Sequence, residues 1–148
     1  AVNRARMNGV RQALDAAGIP LTADRVLSCD FSEDVAYQKV RQYVAQNGTA
    51  HATAMMCFSD IMALGAMRAV HDEGFQVPDD FSIAGFDGLA ISEFTVPSLT
   101  TVSQDMRQIG YESARLLHEM MQGGATGGHR LLAHRLILRQ SVKRLMAQ

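Results

Sequence analysis

Val77-Pro78-Asp79-Asp80-Phe81-Ser82-Ile83-Ala84-Gly85-Phe86-Asp87-Gly88 decides how the chain is read. Pro78-Asp79-Asp80 has turn chemistry, because proline presets φ and aspartate bonds its own backbone. Phe81 to Gly85 is then a short apolar run, the pattern of a strand buried on both faces. Gly85-Phe86-Asp87-Gly88 follows at its carboxyl end. In parallel α/β sheets, ligands gather at that end, where loops and helix N-termini converge.

Upstream, the same alternation repeats. Arg4 to Ala17 carries Val10, Ala13, Leu14 and Ala17 at helical spacing, with Asn3 as cap and Gly18 as stop. Arg25–Cys29 reads as a strand and Val35–Val44 as a helix; Thr53 to Phe58 is an apolar run of strand length. Ser59 is an N-cap, Asp60 suits the positive end of a helix dipole, and Ile61 to Glu73 is helical until Gly74. Three strands alternating with three helices predict parallel βαβ units, an α/β fold with a doubly wound parallel sheet.

Downstream the character changes. A short helix is expected near Ala90 to Phe94, and Leu99 to Val102 is extended. The proline-marked segment 96–103 reads as a crossover into a second lobe. Ser103 or Asp105 caps a helix running to about Met121. Gly123 to Gly128 is a loop, and Leu131 to Leu138 the last strand.

Composition narrows the function. At 148 residues the chain is one ordinary domain's length, 47% hydrophobic and 20% charged, as in globular proteins. Fourteen Lys+Arg against fifteen Asp+Glu leave no basic excess for gripping nucleic acid. Cys29 and Cys57 form no disulfide framework, and no segment has the length of a membrane helix or the pattern of an export signal. A cytoplasmic setting is expected. Gly123 to Gly128 lacks the Lys-Ser/Thr of a phosphate loop, no Gly-x-Ser-x-Gly elbow occurs, and the five histidines lack metal-site spacing. No catalytic constellation, metal or cofactor is expected. Asp87, in its glycine-flanked turn, can accept hydrogen bonds from ligand hydroxyls; its bland reading is a turn residue bonding its own backbone.

Five stretches, in order, carry a resemblance. Ser59-Asp60-Ile61-Met62-Ala63-Leu64-Gly65 resembles the Asn-Asp-x-Met-Ala-x-Gly of the lactose/galactose-repressor family, and Val77 to Asp87 is similar to its Val-Pro-x-Asp-x-Ser-x-x-Gly-Phe-Asp. Pro97-Ser98-Leu99-Thr100-Thr101-Val102-Ser103-Gln104 resembles its crossover, Leu136 to Ser141 its terminal strand, and Arg6-Met7-Asn8-Gly9 its Arg-x-x-Gly. The resemblance implies a periplasmic-binding-protein-like core of two α/β lobes with a small-molecule cleft between them. Residues 1–97 would form the C-terminal lobe, lacking its first strand, 98–130 a crossover and a helix of the N-terminal lobe, and 131–148 the final strand and tail.

The family pattern implies five ligand-binding residues. Arg6 would be a bidentate donor to vicinal oxygens, Asp87 an acceptor opposite it, and Phe31 a stacking surface for a sugar or base. Gln104 lies at the crossover, and Ser59 stands where the family usually has Asn. The implied function is the effector-binding, homodimerising part of a bacterial transcriptional repressor sensing a sugar- or nucleoside-like molecule. Operator DNA would be contacted only through an N-terminal helix-turn-helix outside this chain. The alternative is an exported sugar-binding protein of a transporter.

A further expectation concerns the sheet. In doubly wound order the strand feeding the first helix lies between Arg25–Cys29 and Thr53–Cys57. Without it those two strands would stand roughly 10 Å apart with facing edges unpaired, too far for Cys29 and Cys57 to bridge.

Overall fold

A computed structural model of the chain describes residues 2–124 and 128–144. Residues 125–127 of the expected glycine-rich loop and 145–148 of the expected tail lie outside it. The elements run α1 (Val2–Ala16), a 3-10 turn (Ala23–Arg25), α2 (Glu33–Asn47), β1 (Ala54–Met56), α3 (Asp60–Asp72) and β2 (Ser82–Asp87). There follow α4 (Ile91–Phe94), β3 (Thr100–Gln104), α5 (Met106–Met121) and β4 (His134–Ile137).

Among the described residues these strands form one sheet in the order β1-β2-β3-β4. β1 and β2 are parallel, as the βαβ alternation predicts, with Ala54 opposite Ser82. β3, in the segment expected to be a crossover, joins the same sheet parallel to β2, with Ala84 opposite Thr100. β4 returns antiparallel, Thr101 facing Ile137 and Gln104 facing His134.

The helices start where their side chains can satisfy orphan backbone N–H groups. Ser32, Ser59 and Asp105 each cap the helix that follows by accepting from the amide three residues on. α2 lays Val40 and Val44 against Ala63, Ala66 and Val70 of α3, over Phe81, Ile83 and Leu99. Burying a valine, isoleucine, leucine or phenylalanine side chain stabilises by about 1.5–3 kcal/mol. A Cβ at Gly65 would collide with the Glu33 carbonyl oxygen, so glycine sets the α2–α3 approach. α1 has a half-buried stripe of Arg6, Met7, Val10 and Leu14, with Ala13 exposed.

Three expectations need correction. Asn3 does not cap the first helix: α1 already runs from Val2, which places Asn3 within it. Arg25–Cys29 is not a strand: Arg25 ends the 3-10 turn and residues 26–29 run on without a ladder. A strand exists only through its partner's hydrogen bonds, and β1 pairs with β2 alone. The last strand is likewise shorter than Leu131–Leu138, because β3 offers partners only for His134–Ile137. Cys29 and Cys57 are both free, packed around one small apolar cluster with Ala36 and Met62.

Beyond β4 the chain turns back to the sheet. The fully buried Ser141 hydroxyl donates to the Ile83 carbonyl (2.6 Å) and accepts from the Thr100 amide (2.8 Å), joining β2 to β3 at their starts.

Candidate functional site

β2 ends at Asp87, and the backbone there is unusual. Among the described residues three non-glycine positions have positive φ: Asp30 (47°), Phe31 (56°) and Asp87 (112°). Side chains other than glycine's resist this region, so such residues persist only where their surroundings over-determine them, often at binding sites. Asp30 and Phe31 form a tight turn closed by the Ser32 amide on the Cys29 carbonyl, 2.8 Å.

Asp87 is the centre of a polar cluster. Arg6 of α1 donates from Nη2 to Asp87 Oδ1 at 3.3 Å, and Gln104, at the end of β3, donates from Nε2 to the same oxygen at 2.9 Å. Arg6 Nη1 also donates to the Phe58 carbonyl, next to the start of α3. The guanidinium lies 3.8 Å from the centre of the Phe86 ring, within the range of a cation–π contact. Burial pushes the Asp87 carboxyl above its usual value; Asp60 adds to this, and Arg6 and the hydrogen bonds oppose it. Oδ2 of Asp87 accepts no hydrogen bond from the described residues. Beside the cluster, a groove of about 350 Å³ runs between α5 and the segment 130–134, lined by Phe86, Gln104, Ile109, Leu116 and Arg130.

The structure therefore brings Arg6, Asp87 and Gln104 together. Ser59 is buried, and its hydroxyl is taken up in capping α3 through the Met62 amide at 3.1 Å. Phe31 stands on its turn with 43% of its surface exposed. Two participants escaped the sequence reading. Phe86 alternates with its neighbours along β2, and period alone does not say which face meets an arginine. Asp60, which a helix dipole alone would explain, is fully buried. Among the described residues no group of three His, Cys, Asp or Glu side chains could hold a metal.

Comparison with known proteins adds the family. Residues 1–142 match the family model of the periplasmic binding protein-like domain. The chain is 37% identical over 141 residues to the HTH-type transcriptional repressor CytR of Escherichia coli (strain K12), covering 95% of this chain and 41% of that protein. It thus spans less than half of that curated relative. A LacI family transcriptional regulator from Enterococcus faecium with bound ribose superposes with a TM-score of 0.85 at 30% identity, covering 97% of this chain and 52% of that one. The Lac repressor dimer bound to operator and the anti-inducer ONPF gives 0.81 at 32% identity, covering 95% and 48%. The chain belongs to the periplasmic binding protein-like domain family, on its lactose/galactose-repressor branch.

Proposed function

We propose that these residues are the effector-binding and dimerisation part of a bacterial transcriptional repressor. The observation that carries the reading is the convergence of Arg6 and Gln104 on one oxygen of Asp87 at the loop end of a parallel sheet. That arrangement leaves Asp87 Oδ2 and the remaining guanidinium N–H groups for a ligand. A carboxylate accepting and a guanidinium donating side by side suit the vicinal hydroxyls of a sugar or of a nucleoside's ribose. Phe31 and Ser59 complete the proposed site, Phe31 by stacking on a ring and Ser59 by its place beside the Phe58 carbonyl.

The similarity to repressors supports this over an exported binding protein. In this reading residues 1–97 and 98–130 belong to different lobes, with 131–148 returning between them. Operator contact falls to a helix-turn-helix outside the 148 residues, the protein works in the cytoplasm, and it pairs as a homodimer. No helix among the described residues is long and apolar enough to cross a membrane. No cofactor or catalytic step enters.

Calorimetric titration of the longer protein carrying these residues, with D-ribose, cellobiose and cytidine as probes, tests the effector class. Saturable heat with one of them, lost in Asp87→Ala, is the expected result. Silence with all three overturns it.

A further inference from the structure

Asp60 is fully buried, yet no Lys, Arg or His among the described residues pairs with it. A buried carboxylate without a countercharge is costly unless donors surround it. Here they do. Oδ2 accepts from the Leu89 amide at 2.6 Å and the Ser92 hydroxyl at 2.8 Å, and Oδ1 accepts from the Thr101 hydroxyl at 2.5 Å. The position at the first turn of α3 adds the positive end of a helix dipole.

The places these donors come from matter more than their number. Leu89 lies two residues after Asp87. Two residues before it lies Gly85, where a Cβ would collide with Asp60 Oδ1. The carboxylate thus bonds one flank and packs closely against the other of a residue whose φ of 112° is strained. Thr101 faces Gly85 in the β2–β3 register and stands three residues before Gln104, so the same group also fixes the strand that carries Gln104. Ser92 is itself tied to the residue before β3 by its carbonyl, which accepts from the Leu99 amide at 2.8 Å.

We infer that Asp60 is a positioning residue for the Arg6–Asp87–Gln104 cluster, holding the strained Asp87–Gly88 turn and β3 in one arrangement. It touches no ligand and acts through Asp87. A plain core residue at this position would add stability and leave the cluster's alignment to other contacts. The inference rests on the geometry of the cluster and not on which effector it takes.

A ligand-free measurement on the 148-residue chain tests it. The guanidinium signals of Arg6 and the side-chain amide signals of Gln104 are followed by NMR, with Asp87→Ala defining their unpaired positions. In Asp60→Ala both sets should move to the Asp87→Ala positions. Asp60→Asn keeps a carbonyl oxygen for Leu89 and Ser92, so it should restore them to the parent positions. A lower melting temperature with both sets unmoved in Asp60→Ala would make Asp60 a core residue only and overturn the inference. If Asp60→Ala does not fold, Ser92→Ala decides. Displacement of the Arg6 and Gln104 signals supports positioning; parent positions overturn it.

Discussion

Arg6 Nη2 stands 3.3 Å from Asp87 Oδ1 although 81 residues separate the two, and the same oxygen takes the Gln104 amide. The pair is partly shielded, with 15% and 22% of the two side chains exposed. In the proposed repressor, truncating either removes charge-assisted hydrogen bonds to a buried ligand. Arg6→Ala and Asp87→Ala should each weaken effector binding by roughly 1.5–3 kcal/mol, about ten- to a hundredfold or slightly more. The two groups touch, so the double variant should lose less than the sum. Calorimetry on the longer protein measures both; unchanged affinity in both single variants dismisses the assigned site.

The Asp87 carboxyl has a pH signature. Burial holds it above its usual value of 3.8, the pull of Arg6 notwithstanding. A carboxyl raised in the folded state binds its proton more tightly there, so it favours folding while protonated. That contribution is present below 3.8 and is lost as pH rises through the folded value. Asp87→Asn stays neutral throughout. Its stability relative to the parent should therefore grow as pH climbs through that window and level off above it. Denaturant melts of both proteins from about pH 3 to about pH 7 check this, and a difference that does not change with pH counts against it.

Ser141 offers a cleaner stability test. Its hydroxyl is fully buried, donating to the Ile83 carbonyl and accepting from the Thr100 amide. Ser141→Ala removes the hydroxyl partner of two backbone groups. The expected loss is about 2–3 kcal/mol, read as a lower urea midpoint with the slope unchanged. A loss within ~0.5 kcal/mol would mean that the Ser141 hydroxyl does not hold β2 to β3.

These cases show what a sequence can carry. The starts of α3 and α5 were legible because capping is local: Ser59 and Asp105 lie next to the amides they satisfy. The parallel pairing of β1 with β2 was legible from alternation; the entry of β3 into the same sheet was not, because an extended segment does not name its partner. Arg25–Cys29 was not, because a ladder belongs to two segments and apolar composition describes one. In the site, Asp87 was legible from its turn at a strand's carboxyl end, whereas Arg6 came from a family motif, since no period links residues 81 apart. Asp60 stayed hidden for the opposite reason. An aspartate at the first turn of a helix has a sufficient local explanation in the dipole, and only packing reveals Leu89, Ser92 and Thr101 closing over it.

The last prediction concerns a surface. Phe94 and Val96 are 77% and 97% exposed, and Ile91, one turn before Phe94, is 49% exposed. Apolar side chains grouped in this way cost a soluble monomer exposed hydrophobic area and mark interaction surfaces. The proposed repressor dimer gives them an occupant, a second copy of the same face; the helix after Phe31 would flank it. Phe94 buries little within its own chain, so Phe94→Asp should leave the melting of a monomer within about 0.5 kcal/mol of the parent. Across a two-fold interface the same change places two carboxylates in an apolar contact, and both copies suffer it. Sedimentation of the longer protein at micromolar concentration should show a dimer for the parent and a monomer for Phe94→Asp. A parent that sediments as a monomer, or a Phe94→Asp protein that stays dimeric, places the partner elsewhere.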